Sequence, residues 1–263
     1  MILHFLTDMQ LQNDYNRLGL FSGTVLKLIA CLFMVIDHVG LTFFPSDDIF
    51  RILGRLAFPL FAFFIAEGNR YSKHKLRRFF MIFGIGVGFL IFYFIYGGEF
   101  YGNIFLSFSI SILLNFLLDF CKKLIFESFK VYKLLLAILM MSAAICLIYI
   151  IYDNLHFEYR FSGMILPIII NLTDFKNVKV PEAVKKIDCH FARMLCFLAG
   201  LLYLSFDGNL GIIQFYCLLA FPLVLFYNGK PGTRKLKYLF YIFYPAHLVV
   251  IEGLAIILQQ ISN

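Results

Sequence analysis

A histidine inside a strongly apolar segment is the side chain of this sequence best suited to chemistry. His38 directly follows Asp37, and ten residues separate it from Lys27 in the segment KLIACLFMVIDHVG. Imidazole titrates near neutral pH, so His38 is a candidate general base. An ionisable group near the centre of a bilayer costs about 2.5–3.5 kcal/mol on insertion scales, so such side chains require a partner, a water-filled cavity or a function. The alternative for His38 is a buried neutral imidazole that donates one hydrogen bond to a backbone carbonyl.

Asp37 is expected to pair with a cation on another helix. Neighbouring helical residues point about 100° apart, so Asp37 is not expected to orient His38 directly. Arg55 lies at a similar depth, near the outer end of the next apolar segment, and is the predicted partner. Either the pair only neutralises two buried charges, or Arg55 also binds an anionic group or polarises a carbonyl. Arg51 lies closer to the water and is expected to be an interfacial anchor.

A second histidine occurs in the last apolar segment, within the motif KYLFYIFYPAHL. Tyr244 and His247 are three residues apart and share a helix face, and Pro245 opens the helix between them. One interpretation is an aromatic packing stripe with a single hydrogen-bonded histidine. The other is a second polar wall of the site, with Tyr244 and His247 in contact with substrate or donor.

The basic loops offer a place for a phosphate-bearing donor. The loop YNGKPGTRKLKY contains a Gly- and Pro-rich turn that can expose backbone N–H groups beside Lys230 and Arg234. Asn228 favours this turn, and Lys27, at the inner end of the first span, offers another phosphate contact. The alternative is that the basic loops exist only to set the membrane topology.

Membrane helices must position these residues, because the chain is too apolar for one soluble core. Of its 263 residues, 61% are hydrophobic and only 15% are charged, whereas soluble domains carry about a quarter charged residues. The pattern predicts an all-α, polytopic membrane protein with about nine transmembrane helices. Residues 1–23 are predicted to form an interfacial segment, and residues 24–263 a single transmembrane domain. The expected spans are roughly 25–45, 50–68, 79–97, 104–120, 133–152, 161–172, 190–205, 211–227 and 237–260.

The distribution of basic residues predicts the orientation. In a nine-span topology, all of the 23 Lys and Arg residues except Arg51, Arg55 and Arg160 fall on one side. The positive-inside rule then predicts a cytoplasmic N-terminus in the plasma or inner membrane, with the C-terminus outside if the span count is odd. Because the basic residues lie in short loops, the net charge of +7 does not indicate nucleic-acid binding. The six cysteines lack zinc spacing, so no metal site is expected.

Three polar residues in the spans are expected to have structural roles. Glu67 is predicted to pair with the basic cluster at 70–78, and Asp119 with Lys122 or Lys123. Asn115, one turn before Asp119, is predicted to join helices by hydrogen bonding.

Four segments together resemble the TraX family. They are LKLIACLFMVIDHVG (26–40), RILGRLAFPLFAFFIAEG (51–68), LFYNGKPG (225–232) and KYLFYIFYPAHL (237–248). The family is named for a conjugative-plasmid protein that acetylates the N-terminus of pilin. Residues 69–210 match only in their alternation of spans and loops. The Lys27/His38 spacing is also similar to the basic-x10-His signature of acyltransferase-3 membrane enzymes, which more often have Arg first and usually have ten spans.

These resemblances imply transfer of an acetyl or short acyl group across a membrane. The donor would be cytoplasmic acyl-CoA, in the first place acetyl-CoA, and the acceptor a hydroxyl or amine at the outer side. The family's histidine maps onto His38 and its basic partner onto Lys27, whereas roles for Asp37, Arg55 and His247 are inferred from position. Candidate acceptors are pilin, a glycan or a small metabolite. A small-molecule or proton-coupled transporter is the main alternative, and an inactive assembly subunit is a third.

Overall fold

The computed structural model describes most of the chain, and helices dominate it. The described residues are 19–97, 101–127, 129–154, 156–157, 159–206, 211–233, 236 and 239–262. The predicted interfacial segment 1–23 therefore lies mostly outside the described residues, and so does Arg234 of the predicted donor site.

The described residues contain eleven α-helices and one 3₁₀ helix. In chain order they are α1 (Gly23–Phe43), α2 (Asp48–Gly54), α3 (Ala57–Tyr71), α4 (Lys75–Gly97), α5 (Ile104–Glu127), α6 (Val131–Asn154), α7 (Phe161–Ile170), α8 (Glu182–Lys185), α9 (His190–Phe206), the 3₁₀ helix η1 (Gly211–Leu219), α10 (Ala220–Leu225) and α11 (Leu239–Ser262). Two short strands, β1 (Tyr101–Gly102) and β2 (His156–Phe157), complete the described elements. Side-chain caps set two of the helix starts: Ser22 accepts a hydrogen bond from Val25 N, and Asp47 from Ile49 N.

Six stretches of the described chain are long and apolar enough to cross a membrane. They are Gly23–Phe43, Asp48–Tyr71, Lys75–Ile95, Ile104–Glu127, Val131–Tyr152 and Leu239–Ile261. The chain is therefore a multi-pass membrane protein built from helices.

The prediction of about nine spans is not supported by helix length. A crossing of about 30 Å of hydrocarbon requires roughly 20 helical residues, and three of the expected spans contain shorter helices. These are Phe161–Ile170, His190–Phe206 and Gly211–Leu225. Apolar composition overestimates length here, because turns or bends flank Phe161–Ile170, precede His190 and follow Leu225. The structure also gives no support to the predicted cytoplasmic N-terminus.

The described residues divide into two compact units. The central unit contains residues 62–200, and the histidine unit contains residues 19–61 and 201–262. The boundaries fall inside α3 and α9, between residues 61 and 62 and between residues 200 and 201.

In the central unit, α5, α6 and α7 share a hydrophobic core. Its buried residues are Leu114, Leu118, Ile148, Phe157, Met164 and Ile168. Small serines on α5 allow α7 to approach: the Ser111 hydroxyl lies 2.6 Å from Met164 O and 3.0 Å from Ser107 O. These carbonyls provide the hydrogen-bond acceptors that the buried Ser111 hydroxyl needs and that lipid tails lack.

Contacts at both ends align residues 156–174 with α5. At one end, β1 and β2 pair in parallel, with Tyr101 opposite His156 and Gly102 opposite Phe157. At the other end, Lys122 Nζ donates to Asn171 O (2.6 Å) and Asp174 O (2.7 Å). The two segments therefore run side by side in the same direction, with both of their ends level.

Buried charges join the helices of the central unit at the Lys122 end of α5. The ion pairs are Arg193–Glu67 (2.5 Å), Arg70–Asp174 (2.5 Å), Arg70–Asp188 (2.5 Å) and Lys75–Asp119 (2.8 Å). With Lys122, these pairs between described residues bring together four cations and four anions. Glu67 thus pairs with Arg193, which lies outside the cluster at 70–78. Asp119 pairs with Lys75 instead of Lys122 or Lys123, because tertiary packing brings this more distant residue closer.

The Asn115 amide joins the same network. Its Oδ1 accepts from Asn171 Nδ2 at 2.8 Å, and Asn171 Nδ2 also donates to Ala66 O at 3.2 Å. This agrees with the predicted helix-joining role of Asn115. Beside the network, partial burial and the Arg70 charge lower the pKa of Lys176, whose ammonium lies 3.6 Å from the centroid of the Tyr71 ring.

Candidate active site

The histidine unit brings its two intramembrane histidines together. His38 lies on α1 and His247 on α11, two helices that pack against each other. Their ring centroids are 4.9 Å apart with the planes 82° apart, and His247 Nε2 lies 3.4 Å from His38 Nδ1. Residues 209 positions apart in the sequence therefore form one polar centre.

Backbone carbonyls determine which nitrogen of each neutral ring carries the proton. His38 Nδ1 lies 2.8 Å from Met34 O, and His247 Nδ1 lies 3.0 Å from Phe243 O. Because a carbonyl oxygen can only accept, each Nδ1 must donate, and the two Nε2 atoms of the neutral rings carry lone pairs. His38 Nδ1–H is thus shared between Met34 O and His247 Nε2.

His38 Nε2 is the available base of this centre. No described residue forms a hydrogen bond with it, and the His38 side chain is only half-buried. Nδ1–H, in contrast, is held by two acceptors that fix the ring orientation. An imidazole oriented in this way can take up a proton at Nε2, and the resulting cation strengthens both hydrogen bonds at Nδ1.

Aromatic rings of α11 surround His247. Phe243 stacks on it at 5.3 Å with an interplanar angle of 11°, and Tyr244 meets it edge-on at 5.5 Å. Tyr244 is buried, as is His247. The predicted pair of Tyr244 and His247 is therefore in contact, as an aromatic packing stripe requires.

A three-residue ion cluster lies beside His38, at the packing of α1 against α2. Asp37 Oδ1 is 2.8 Å from Arg51 Nη1 and 3.3 Å from Arg55 Nη2, and Asp37 Oδ2 is 3.4 Å from Arg55 Nη2. Arg55 contacts Asp37, as expected, but Arg51 is the closer partner and not only an interfacial anchor. The i, i+4 spacing of the two arginines was a signal for a shared helix face that the sequence analysis did not use.

Lys27 does not reach the histidine centre. It lies eleven residues before His38 on α1, about 16 Å along the helix axis. Its Nζ lies 5.7 Å from the centroid of the Phe240 ring, near the start of α11. Lys27 therefore marks the other end of the interface between α1 and α11.

The predicted donor loop is fixed to the start of α1. Phe21 N donates to Phe226 O (3.0 Å), Asn228 N to Phe21 O (2.9 Å) and Gly23 N to Lys230 O (2.8 Å). Gly232 has φ +78° and leaves no space for a Cβ beside Thr24. The loop thus has a defined conformation next to the first turn of α1.

Within this loop, the predicted donor residues differ in role. Asn228 Oδ1 accepts from Lys230 N at 3.0 Å, so the Asn228 side chain closes the turn. Lys230 is exposed and its side chain is available to an anion. Among the residues that the structure describes, no group of three His, Cys, Asp or Glu side chains could hold a metal ion.

A match to a known protein family covers the residues of the candidate site. The family model described as TraX protein matches residues 22–255, which include α1, the loop and most of α11. The chain belongs to the TraX family. Its histidine pair, its ion cluster and its loop all fall within the part that matches the TraX family.

Two relatives extend the comparison. The probable fimbrial assembly protein FimC, serogroup H1, of Dichelobacter nodosus is 27% identical over 258 residues, covering 91% of this chain and 98% of FimC. An uncharacterized protein of Rickettsia prowazekii (strain Madrid E) is 49% identical over 53 residues, which cover 20% of this chain and only 21% of that relative. No solved structure matches this chain.

Proposed function

We propose that this protein is a membrane acyltransferase that uses His38 as its general base. It would transfer an acetyl or short acyl group from acyl-CoA, in the first place acetyl-CoA, to a hydroxyl or amine acceptor. The observation that supports this most strongly is the open Nε2 lone pair of His38, with Nδ1–H held by Met34 O and His247 Nε2. The acyltransferase-3 spacing of Lys27 and His38 agrees with the same chemistry.

The reaction needs one proton to move twice. His38 Nε2 takes the proton of the acceptor O–H or N–H as the acceptor oxygen or nitrogen attacks the thioester carbonyl. The C–S bond then breaks, and the imidazolium returns the proton to the leaving thiolate. Met34 O and His247 Nε2 stabilise the transient imidazolium through Nδ1–H. An acyl-histidine on Nε2 is a second route compatible with the same geometry.

The donor would enter from the end of the unit that carries Lys27 and Lys230. The nucleotide part of acyl-CoA bears several phosphates. Lys27 lies near the start of α1, and the Lys230 carbonyl accepts from Gly23 N at that same start. The distance of about 16 Å from Lys27 to His38 along α1 suits a ligand with a long arm. Arg234, which belongs to the same prediction, lies outside the described residues.

We further propose that the N-terminus is cytoplasmic and that residues 156–174 also cross the membrane. Their alignment with α5 supports this, since Gly102 to Lys122 covers about 30 Å. Short helices are tolerated at membrane depth where protein covers them, and most of α7 is buried. This crossing places the basic residues of 176–193 on the same side as those of 122–133, and further crossings by α9 and by η1 with α10 restore the nine spans.

The acceptor that relatives favour is a pilin, at the outer face of the plasma or inner membrane. The TraX resemblance and the name of the Dichelobacter relative both support this class. Glycans and small metabolites are alternative acceptors of the same chemistry. Membrane lipid surrounds the protein in every case.

Radiolabelled acyl transfer tests the proposal. Membranes containing the full chain are incubated with acetyl-CoA labelled in the acetyl group, and labelled products are compared between wild type, His38→Ala and His74→Ala. His74 is exposed in a loop and is the matched control. We expect label transfer with wild type and His74→Ala and at least a hundredfold loss with His38→Ala. Equal transfer by His38→Ala would contradict the proposal, and gradient-driven uptake without a labelled product would instead favour a transporter.

A further inference from the structure

We propose that Arg51 and Arg55 bind an oxyanion, a carboxylate or phosphate group, carried by the acyl acceptor. This inference rests on the proposed function and names the acceptor's chemical class. The structure brings two guanidinium groups onto the single carboxylate of Asp37 beside His38.

The cluster carries one positive charge more than its acid can neutralise. Arginine stays protonated in proteins, so Asp37 compensates only one of its two partners. Asp47 uses Oδ1 to cap Ile49 N, and the exposed Asp48 makes no ion pair within the described part of the chain. The cluster of Arg51, Arg55 and Asp37 therefore carries a net charge of +1.

Burial makes this surplus charge significant. Arg55 is only 6% exposed, so bulk water hydrates it poorly. Its Nε donates to Arg51 O at 3.3 Å and its Nη2 to Asp37, whereas Nη1 has no acceptor among the residues described. A guanidinium with an unused N–H edge in a largely buried site is suited to a planar or tetrahedral oxyanion.

The neighbouring helix offers a further unmatched polar atom. The 3₁₀ helix η1 packs against α2. The Cys217 thiol of η1 is close enough to Arg55 to feel the charge of its guanidinium. One turn earlier, Gln214 is only 4% exposed, and its Oε1 has no donor in the described residues. A ligand could place an oxyanion at the Arg55 guanidinium and donate an O–H or N–H to Gln214 Oε1.

The position of the cluster suggests how such an acceptor would lie. Asp37 and His38 are consecutive on α1, so the guanidinium groups and the base occupy adjacent faces of one helix. An acceptor with its anion at the arginines would hold its hydroxyl or amine near His38 Nε2. The cluster would thus select acceptors that carry a negative charge close to the nucleophile.

Anion binding can be measured without any acyl transfer. The full chain is reconstituted in phosphatidylcholine nanodiscs, and its thermal unfolding is followed with millimolar phosphate or acetate at constant ionic strength. The variants are Arg51→Gln, Arg51→Lys and, as a control that also removes one positive charge, the exposed Arg77→Gln. We expect saturable stabilisation of wild type and Arg77→Gln, at least tenfold weaker binding by Arg51→Gln, and partial retention by Arg51→Lys. Equal binding by all four proteins, or none by wild type, would overturn the inference.

A second arm separates the acceptor from lipid. The same measurement is repeated in nanodiscs that contain phosphatidylglycerol. If anionic lipid saturates the effect and soluble anions produce none, the oxyanion is a headgroup, and the assignment to the acceptor is wrong. Stabilisation by soluble anions in both lipid compositions supports the acceptor.

Transfer assays connect the cluster to substrate choice. β-Alanine and β-alaninamide differ only in the carboxylate and are compared as acceptors with labelled acetyl-CoA. We expect wild type to favour β-alanine and Arg51→Gln to reduce the ratio of kcat/KM values at least tenfold. An unchanged ratio contradicts the inference, whereas loss of all transfer in His38→Ala concerns only the proposed function. Binding without transfer to any acceptor would contradict the function and leave the anion site standing.

Discussion

At the scale of single residues, the reactivity of His38 depends on the group behind it. His247 Nε2 faces His38 Nδ1–H at 3.4 Å and has no proton of its own to donate while its Nδ1–H is bound to Phe243 O. His247 Nε2 therefore accepts from His38 Nδ1–H, and this hydrogen bond becomes stronger when His38 is positively charged. His247 is a positioning residue in this account, because it acts through His38.

Replacing His247 should lower turnover more than donor binding. His247→Phe keeps a ring of similar shape but removes the acceptor, so we expect kcat to fall about tenfold to a hundredfold, with little change in KM for acetyl-CoA. His247→Gln, whose amide oxygen can accept from Nδ1–H, should recover part of this loss. Steady-state kinetics in nanodiscs measure both values. A variant that changes only KM would indicate substrate contact instead of positioning.

Several of these residues could be found from the sequence, but their pairing could not. An imidazole and an acid in an apolar segment are visible without a structure, because a membrane makes every charge costly. The contact of His38 with His247 depends on the packing of α1 against α11, which no local pattern encodes. Arg51 was underestimated because its depth was judged alone, without its common helix face with Arg55.

At the scale of elements, close packing of α1 on α2 holds the ion cluster together. Gly54 lies directly against the Asp37 carboxylate, and Gly40 lies against the Phe50 side chain. A Cβ at Gly54 would overlap the carboxylate and push the two helices apart. The glycines therefore fix the distance from Asp37 to the arginines.

Gly54→Ala should consequently destabilise the protein and weaken the site. We expect a loss of about 1–3 kcal/mol in the free energy of unfolding, as for other overpacked interiors. Gly84→Ala is the matched control, because nothing lies within 4 Å of the added methyl group. Helix propensity should make that control neutral or stabilising by up to about 1 kcal/mol. Chemical unfolding in detergent measures the free energy of unfolding of both variants. Equal values for Gly54→Ala and Gly84→Ala would contradict the close packing at Gly54.

The charged network of the central unit makes a second prediction about elements. Arg193 is 2% exposed and pairs with Glu67 at 2.5 Å, so Glu67→Gln removes a negative charge that faces a buried cation. We expect a destabilisation of about 3–5 kcal/mol, seen as a lower unfolding midpoint. The exposed Glu182→Gln serves as control and should change little. The double variant Glu67→Leu/Arg193→Met should regain much of the loss, and a single variant as stable as wild type would show that the pair contributes nothing.

At the scale of the whole molecule, the path of residues 156–174 decides the topology. Length alone supports six crossings, whereas the alignment of this segment with α5 supports an additional one. A short helix can cross where protein covers its backbone. The distribution of Lys and Arg is one-sided only when this crossing is included.

Cysteine labelling in intact cells tests this topology. In a background without the native cysteines, single cysteines replace the exposed residues Ser46, Lys123 and Lys179. We expect a membrane-impermeant maleimide to label the cysteine at 46 and to reach those at 123 and 179 only after permeabilisation. Labelling at 179 but not at 123 in intact cells would contradict the proposed crossing.

The fold class was accessible to sequence analysis because apolar composition reports directly on the membrane. Each of the nine expected spans contains a helix, but hydropathy could not tell a helix of ten residues from one of twenty. The partners Glu67–Arg193 and Lys75–Asp119 were also out of reach, since charges were matched to their neighbours along the chain. Contacts between residues far apart in the sequence determine both ion pairs.

The proton position on His38 is the most direct test of the central claim. Protein labelled with ¹⁵N-histidine in lipid bilayers gives separate NMR signals for protonated and unprotonated ring nitrogens, and subtraction of the His38→Ala spectrum isolates His38. At a pH where the ring is neutral, the account predicts a protonated Nδ1 and an unprotonated Nε2. A neutral ring with its proton on Nε2 would contradict the role of His38 Nε2 as the base.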